Sequence, residues 1–161
     1  MLLSLDLSLL RLLRTRLHPP ALERSAIAIS RVGEHGLGWQ LGCAAGAALD
    51  PDRRPIYRRA MEAAGLAYAA NQLIKLCVRR RRPDVPGLHS LVDTRSELSY
   101  PSAHAATSFA AAGVLSQALP ASPLYAVALV VALTRPYLGV HWPSDTLAGA
   151  ALGGALARLM R

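Results

Sequence analysis

The chain has 161 residues, enough for one hydrophobic core and too few for two, so residues 1–161 are read as a single domain. Apolar residues make up 52 % of it and mean hydropathy is +0.26, yet there is one Phe, and Ala and Leu dominate; this favours closely packed helices, an all-α integral membrane bundle. A net charge of +8 would suit nucleic acid, but the arginines are not interleaved with aromatics and no helix-turn-helix or zinc spacing occurs, which points away from nucleic acid and toward anionic lipid or phosphate.

Residues 1–20 form the first element. Leu2, Leu3, Leu5, Leu9, Leu10, Leu12, Leu13 and Leu17 surround Arg11, Arg14 and Arg16, as in a basic amphipathic helix lying on a bilayer and ended by Pro19-Pro20. A helix buried against the rest of the protein or a second subunit is the alternative. Asp6, Arg11 and the prolines do not suit a cleaved signal peptide. Between Ala26 and Leu49 the only charges are Arg31 and Glu34, giving a first spanning segment whose uncharged part is shorter than the roughly 20 residues that cross a bilayer. Asp50 to Arg59 is a polar turn. A second span runs from Arg59 to Val78, with Lys75 in its last turn.

Residues 79–100 are Arg-rich and carry Pro83, Pro86 and Gly87, which predicts a loop or short interfacial helices placed to gate a site. From Ser102 to Leu119 the chain is an Ala-rich third helix, broken by Pro120 and Pro123; Leu124 to Val140 forms a fourth. Pro143-Ser144 opens a fifth, with Ser144 as N-cap and Gly149/Gly153 as a small-residue face for helix contact. The expectation is about five transmembrane helices and an interfacial N-terminal one. If each crosses once, the end of the second, both ends of the turn between fourth and fifth, and the start of the third share one membrane side. Cys43 and Cys77 sit in apolar stretches as buried hydrophobes, without metal spacing.

The chemistry-bearing residues occur at those shared ends. Lys75 is followed after six residues by Arg82-Pro83; then come Pro101-Ser102-Ala103-His104; then Arg135, five residues, His141, three residues, Asp145. Three cations suit phosphoryl oxygens, and two imidazoles with one carboxylate suit displacement at phosphorus without a metal. The order and spacing over residues 70–150 resemble the type 2 phosphatidic acid phosphatase superfamily. Ala103 stands where that family has Gly and Thr134 where it has Ser; neither change removes a charged or nucleophilic group.

The resemblance implies that His141 attacks phosphorus and becomes a phosphohistidine, with Asp145 holding its other ring nitrogen. His104 would protonate the leaving oxygen and then activate water. Lys75, Arg82, Arg135, the Ser102 hydroxyl and the backbone N–H groups of Ala103 and His104 would bind the phosphate, with no metal and no cofactor. An arginine run such as Arg79 to Arg82 is ordinarily a solvated face, and only the spacing from Lys75 singles out Arg82. His18, His35 and His89 lack such company and are read as structural or surface residues, Trp142 and Tyr137 as interfacial or packing aromatics.

A lipid phosphate is the implied substrate, its tail left in the hydrocarbon of a bacterial plasma membrane: phosphatidic acid, phosphatidylglycerol phosphate, a polyprenyl pyrophosphate, or a cell-wall lipid such as decaprenylphosphoryl-5-phosphoribose. An extracytoplasmic site would leave Arg53, Arg54, Arg58, Arg59, Arg158 and Arg161 inside, yet Arg11, Arg14, Arg16, Arg79, Arg80, Arg81 and Arg95 crowd the active face, so both orientations stay open. So do three rivals: a phosphatase or phosphotransferase on soluble esters, a non-catalytic lipid-phosphate binder, and a basic nucleic-acid domain soluble without detergent. The oligomeric state is open, a homo-oligomer included.

Overall fold

The protein is described by a computed structural model over residues 2–16 and 19–160. Leu17, His18 and Arg161, which carried expectations above, lie outside the described residues. Among those described, seven α-helices occur and no strand: α1 (Leu2–Arg16), α2 (Pro20–Val32), α3 (Leu37–Leu49), α4 (Arg54–Val78), α5 (Ala103–Leu115), α6 (Ala121–Tyr137) and α7 (Pro143–Leu159), with 3-10 turns at Glu34–Gly36 and Pro51–Arg53.

The centre of the bundle is α5. Its alanines at 105, 106, 110, 111 and 112 are wholly buried, and α4, α6 and α7 pack around it. Small side chains are what allow three helices to surround a fourth at close range. The approach is closest to α7, where a Cβ on Gly149 would collide with the Ser102 carbonyl oxygen and one on Gly153 with that of Ala106. The small-residue face expected there is a helix contact.

Helix starts follow local chemistry. Asp50 accepts from the Arg53 backbone N–H at 3.3 Å ahead of α4, and Pro20 begins α2, so the Pro19-Pro20 pair opens a helix as well as closing the segment before it. Pro123 falls in the first turn of α6, where a missing N–H has no intrahelical partner to lose. Ser144 is not the N-cap of α7, as its residue type suggested; Trp142 is, and the Trp142 backbone N–H donates to Asp145 Oδ2 at 2.9 Å.

Two expectations change. The segment from Ala26 to Leu49 is two helices, not one span: His35 (φ 53°) and Gly36 (φ 73°) are left-handed and interrupt the hydrogen-bond ladder. Among the described residues no helix is long and apolar enough to cross a membrane, so the count of about five spanning helices finds no support in helix length. What holds is the all-helical bundle. Helix α1 is two-faced: Asp6 and Leu10 are buried where it meets α6 and α7, while Leu3, Leu5, Leu9 and Leu12 are exposed. Residues 79–100 form no helix; Arg79 (φ 53°) ends α4, and a bridge pairs Arg81 with Leu98. Cys43 is buried as expected, but Cys77 is exposed.

Candidate active site

The last turn of α4, the first turn of α5, the last turn of α6 and the connections 79–102 and 138–142 meet around one cavity of about 710 Å³. Lys75, Arg82, Ala103, His104, Arg135 and His141 line it. Asp145 lies behind His141 with no exposure. Asn71, one turn before Lys75 and wholly buried, donates from Nδ2 to the Pro101 carbonyl at 2.9 Å and so ties α4 to the entry of α5.

The two imidazoles are held in complementary tautomers. His141 Nε2 lies 3.2 Å from Arg82 Nη1. A guanidinium only donates, so Nε2 presents its lone pair and the ring hydrogen sits on Nδ1. Nδ1 is 3.6 Å from Asp145 Oδ2, too long for a hydrogen bond, and has no other hydrogen-bond partner among the described residues. His104 is the reverse case. Its Nε2 is 2.9 Å from the Ser30 carbonyl oxygen, which only accepts, so Nε2 carries hydrogen and Nδ1 is the nitrogen able to exchange a proton. Burial, with the charges of Arg135, Arg82 and Lys75, pushes His141 well below the usual histidine range and keeps it neutral at rest.

Arg82 donates from Nε to the Ser96 carbonyl at 2.7 Å and from Nη1 to that of Val140 at 2.5 Å. Burial brings it down to about 10, against the pull of Asp145, so it stays charged near neutral pH. Arg135 donates to the Ser30 hydroxyl. Lys75 is 9 % exposed and Arg135 6 %, and among the described residues none of these three cations has a carboxylate within ion-pair distance. Two buried cations and the half-buried Arg82, none with a carboxylate at ion-pair distance, are an arrangement able to take a multivalent anion. No group of three or more His, Cys, Asp or Glu side chains among the described residues is placed to hold a metal ion.

Ser102 departs from its expected place. It is wholly buried and absent from the cavity lining, and its hydroxyl accepts from the Ala105 backbone N–H at 3.5 Å as the cap of α5. Ala103 has negative φ, so its β-carbon causes no strain. Thr134 uses its hydroxyl within α6, donating to the Val131 carbonyl at 2.7 Å.

Several residues escaped the sequence pattern. Arg80, grouped above with solvated arginines, donates from Nη1 to Asp145 Oδ1 and to Ser144 Oγ, both at 2.7 Å, and from Nη2 to Asp6 Oδ2 at 2.7 Å, while stacking on Trp142. Asp6 also accepts from the Ser144 N–H at 2.8 Å and its hydroxyl at 2.6 Å. The N-terminal helix is thus joined through Arg80 to the carboxylate behind His141. Nothing in an arginine run marks one member as ion-paired, but a lone acid four residues from Leu10 on a basic helix was a usable signal. Ser30, which meets both His104 and Arg135, had none. His35, read as a structural or surface residue, is exposed and lines the cavity.

Residues 57–161 match the PAP2 superfamily. The chain is 40 % identical over 141 residues to the decaprenylphosphoryl-5-phosphoribose phosphatase of Mycobacterium tuberculosis, covering 88 % of this chain and 80 % of that one, and 42 % identical over 132 residues to the enzyme of the same name from Mycolicibacterium smegmatis, covering 81 % and 72 %. Its fold is similar to the crystal structure of the transmembrane PAP2 type phosphatidylglycerolphosphate phosphatase from Bacillus subtilis (TM-score 0.77, 25 % identity, 98 % of this chain and 83 % of that one). It also resembles Aquifex aeolicus LpxE (TM-score 0.76, 22 % identity, 97 % and 94 %). With motif spacing, helical architecture and matched span in agreement, the chain belongs to the PAP2 superfamily of phosphatases.

Proposed function

We propose that this phosphatase removes the terminal phosphate from a polyprenyl-phosphoryl sugar phosphate, decaprenylphosphoryl-5-phosphoribose being the specific substrate, and releases inorganic phosphate. The observation that carries the reading is the meeting of two imidazoles in opposite tautomers with three cations that lack carboxylate partners, Lys75 and Arg135 buried and Arg82 half-buried, on one cavity. The identity of about 40 % to phosphatases named for that lipid supports the substrate.

His141 Nε2 attacks phosphorus as the bond from phosphorus to the sugar oxygen breaks, and His104, entering the step as imidazolium with a hydrogen on Nδ1 as well as on Nε2, delivers the Nδ1 proton to that oxygen and is left neutral. Water then attacks the phosphohistidine, His104 takes a proton from it, and the P–N bond breaks. Lys75, Arg82, Arg135 and the N–H groups of Ala103 and His104 hold the non-bridging oxygens, and Asp145 stabilises the imidazolium character that His141 gains. Ser102 acts as the helix cap that aims those N–H groups.

The whole chain acts as one unit in a bacterial plasma membrane. Supporting this are the outward apolar faces of α3 (Leu37, Leu41), α4 (Leu66, Leu73, Leu76), α6 (Val127, Leu129, Val130, Leu133) and α7 (Leu147). Helix α1 would lie at the interface on its exposed leucines. The cavity is placed outward, with Arg53, Arg54, Arg58 and Arg59 at the cytoplasmic end of α4.

The test is phosphate release with EDTA present, for wild type and His141→Ala, across the phosphoribosyl lipid, phosphatidic acid, phosphatidylglycerol phosphate and a soluble phosphate ester. We expect the phosphoribosyl lipid to be preferred, chelator to have no effect, and His141→Ala to be inactive without a trappable phosphohistidine. Faster turnover of the soluble ester would sink the lipid assignment, and turnover by His141→Ala would sink the mechanism.

A further inference from the structure

The cavity has a second half that phosphate chemistry does not use. Glu34, His35, Tyr68 and Gln72 line it beside the catalytic groups, and Ile27, Leu91 and Val92 form its apolar wall. Gln72 Nε2 donates to Tyr68 Oη at 2.9 Å, Tyr68 Oη is 2.9 Å from His35 Nδ1, and His35 Nε2 is 3.4 Å from Arg95 Nη1. His35 Nε2 also lies 3.6 Å from Glu34 Oε1, which is 3.8 Å from Arg95 Nε. In the tautomer that accepts from the guanidinium at Nε2, His35 gives its Nδ1 hydrogen to Tyr68. Both lone pairs of that oxygen are then engaged and the phenolic hydrogen is left for a ligand. Gln72 Oε1 and the second Glu34 oxygen add acceptors.

Donor and acceptors side by side match vicinal hydroxyls, each of which gives and takes a hydrogen bond. The arrangement has a structural cost. His35 is a non-glycine residue at φ 53°, a conformation disfavoured by about 1 kcal/mol. The kink it makes between α2 and α3 turns residues 34 and 35 toward the cavity, which a continuous helix over 26–49 would not do.

We propose that Glu34, His35, Tyr68 and Gln72 form a seat for the hydroxyls of the sugar that bears the scissile phosphate, while Ile27, Leu91 and Val92 guide the start of the lipid tail. The seat rests on the phosphoribosyl-lipid reading above and adds to it the residues that tell a sugar phosphate from a glycerolipid phosphate. A site built to hydrogen-bond hydroxyls discriminates because its polar groups go unsatisfied without them.

The experiment measures kcat/KM for the phosphoribosyl lipid and for phosphatidic acid in the same micelles, for wild type, Glu34→Gln, Gln72→Leu and Tyr68→Phe. The ratio of sugar lipid to phosphatidic acid should fall about fivefold or more in each variant, the size of one lost hydrogen bond. Ratios within twofold of wild type, in an enzyme that prefers the sugar lipid, overturn the seat and leave the functional reading standing. A wild type that prefers phosphatidic acid removes the functional reading and the seat with it. Tyr68→Phe changes one oxygen and no packing, so it decides the matter if Gln72→Leu loses activity on both lipids.

Discussion

As the proposed nucleophile, His141 needs different things at its two nitrogens: an available lone pair at Nε2 and a hydrogen held in place at Nδ1. Asp145, 3.6 Å from Nδ1, is the group proposed for the second need, and it is oriented by its own bonds to Arg80 and the Trp142 N–H. Asp145→Asn should therefore lower kcat by roughly 10³-fold with a smaller effect on KM, because the amide can favour the wrong tautomer. Arg80→Gln and Asp6→Ala act one step further out and should cost roughly 10–100-fold in kcat; steady-state kinetics on one lipid substrate ranks all three. The same burial makes a pH prediction. Folded His141 resists protonation, whereas the unfolded chain takes up that proton below about pH 6.5. The residue is thus without influence on stability above that pH and increasingly destabilises the fold as pH falls beneath it. His141→Asn should flatten the decline of Tm between about pH 6.5 and 4.5 in detergent. Matching acid limbs for variant and wild type would mean that the imidazole protonates in place.

Among the elements, the contact of α5 with α7 positions the candidate site, because α5 carries His104 in its first turn and α7, which starts two residues after His141, carries Asp145 in its own. Gly153 faces the Ala106 carbonyl with no room for a methyl group, whereas a Cβ on the neighbouring Gly154 meets nothing within 4 Å. Gly153→Ala should destabilise the protein by about 1–3 kcal/mol, and Gly154→Ala should stabilise it by about 0.5–1 kcal/mol through helix propensity. Thermal unfolding of the pair separates close packing from propensity; equal shifts would contradict the contact. Spacing foretold the small-residue face, while the gathering of Lys75, His104, Arg135, His141 and Asp145 was anticipated from the parity of the apolar segments together with the family resemblance of the three motifs. The break in Ala26–Leu49 was not legible there. Apolar content is the same for one helix or two, and the left-handed turn falls on His35 as well as on a glycine. Arg80 and Ser30 were missed for a related reason: each is held by partners far away in sequence, Asp6 and Asp145 in one case and His104 and Arg135 in the other.

For the whole molecule, the tension lies between an apolar exterior and short helices. Helices α6 and α7 have 17 residues each, about 26 Å at 1.5 Å per residue, under the roughly 30 Å of a hydrocarbon core. Helix α4 has 25, but Arg54, Arg58, Arg59 and Glu62 lie in its first half. Helix α5 is so enclosed that lipid need not touch it. A bundle can still sit in a bilayer if its charged ends reach the headgroups and the membrane thins around it, at a modest cost per ångström of mismatch. The decisive position is then Leu129, exposed midway along α6. On the membrane reading, Leu129→Arg places a cation against hydrocarbon at a cost of about 2.5–3.5 kcal/mol, whereas Leu3→Arg on interfacial α1 adds a charge where headgroups accept one. The first variant should deplete the detergent-extracted membrane fraction strongly and the second little, read by quantitative blotting of fractions. If both accumulate alike as folded protein without detergent, the apolar faces of α3, α4, α6 and α7 are covered by something other than lipid, and a second copy of this chain becomes the surface to look for.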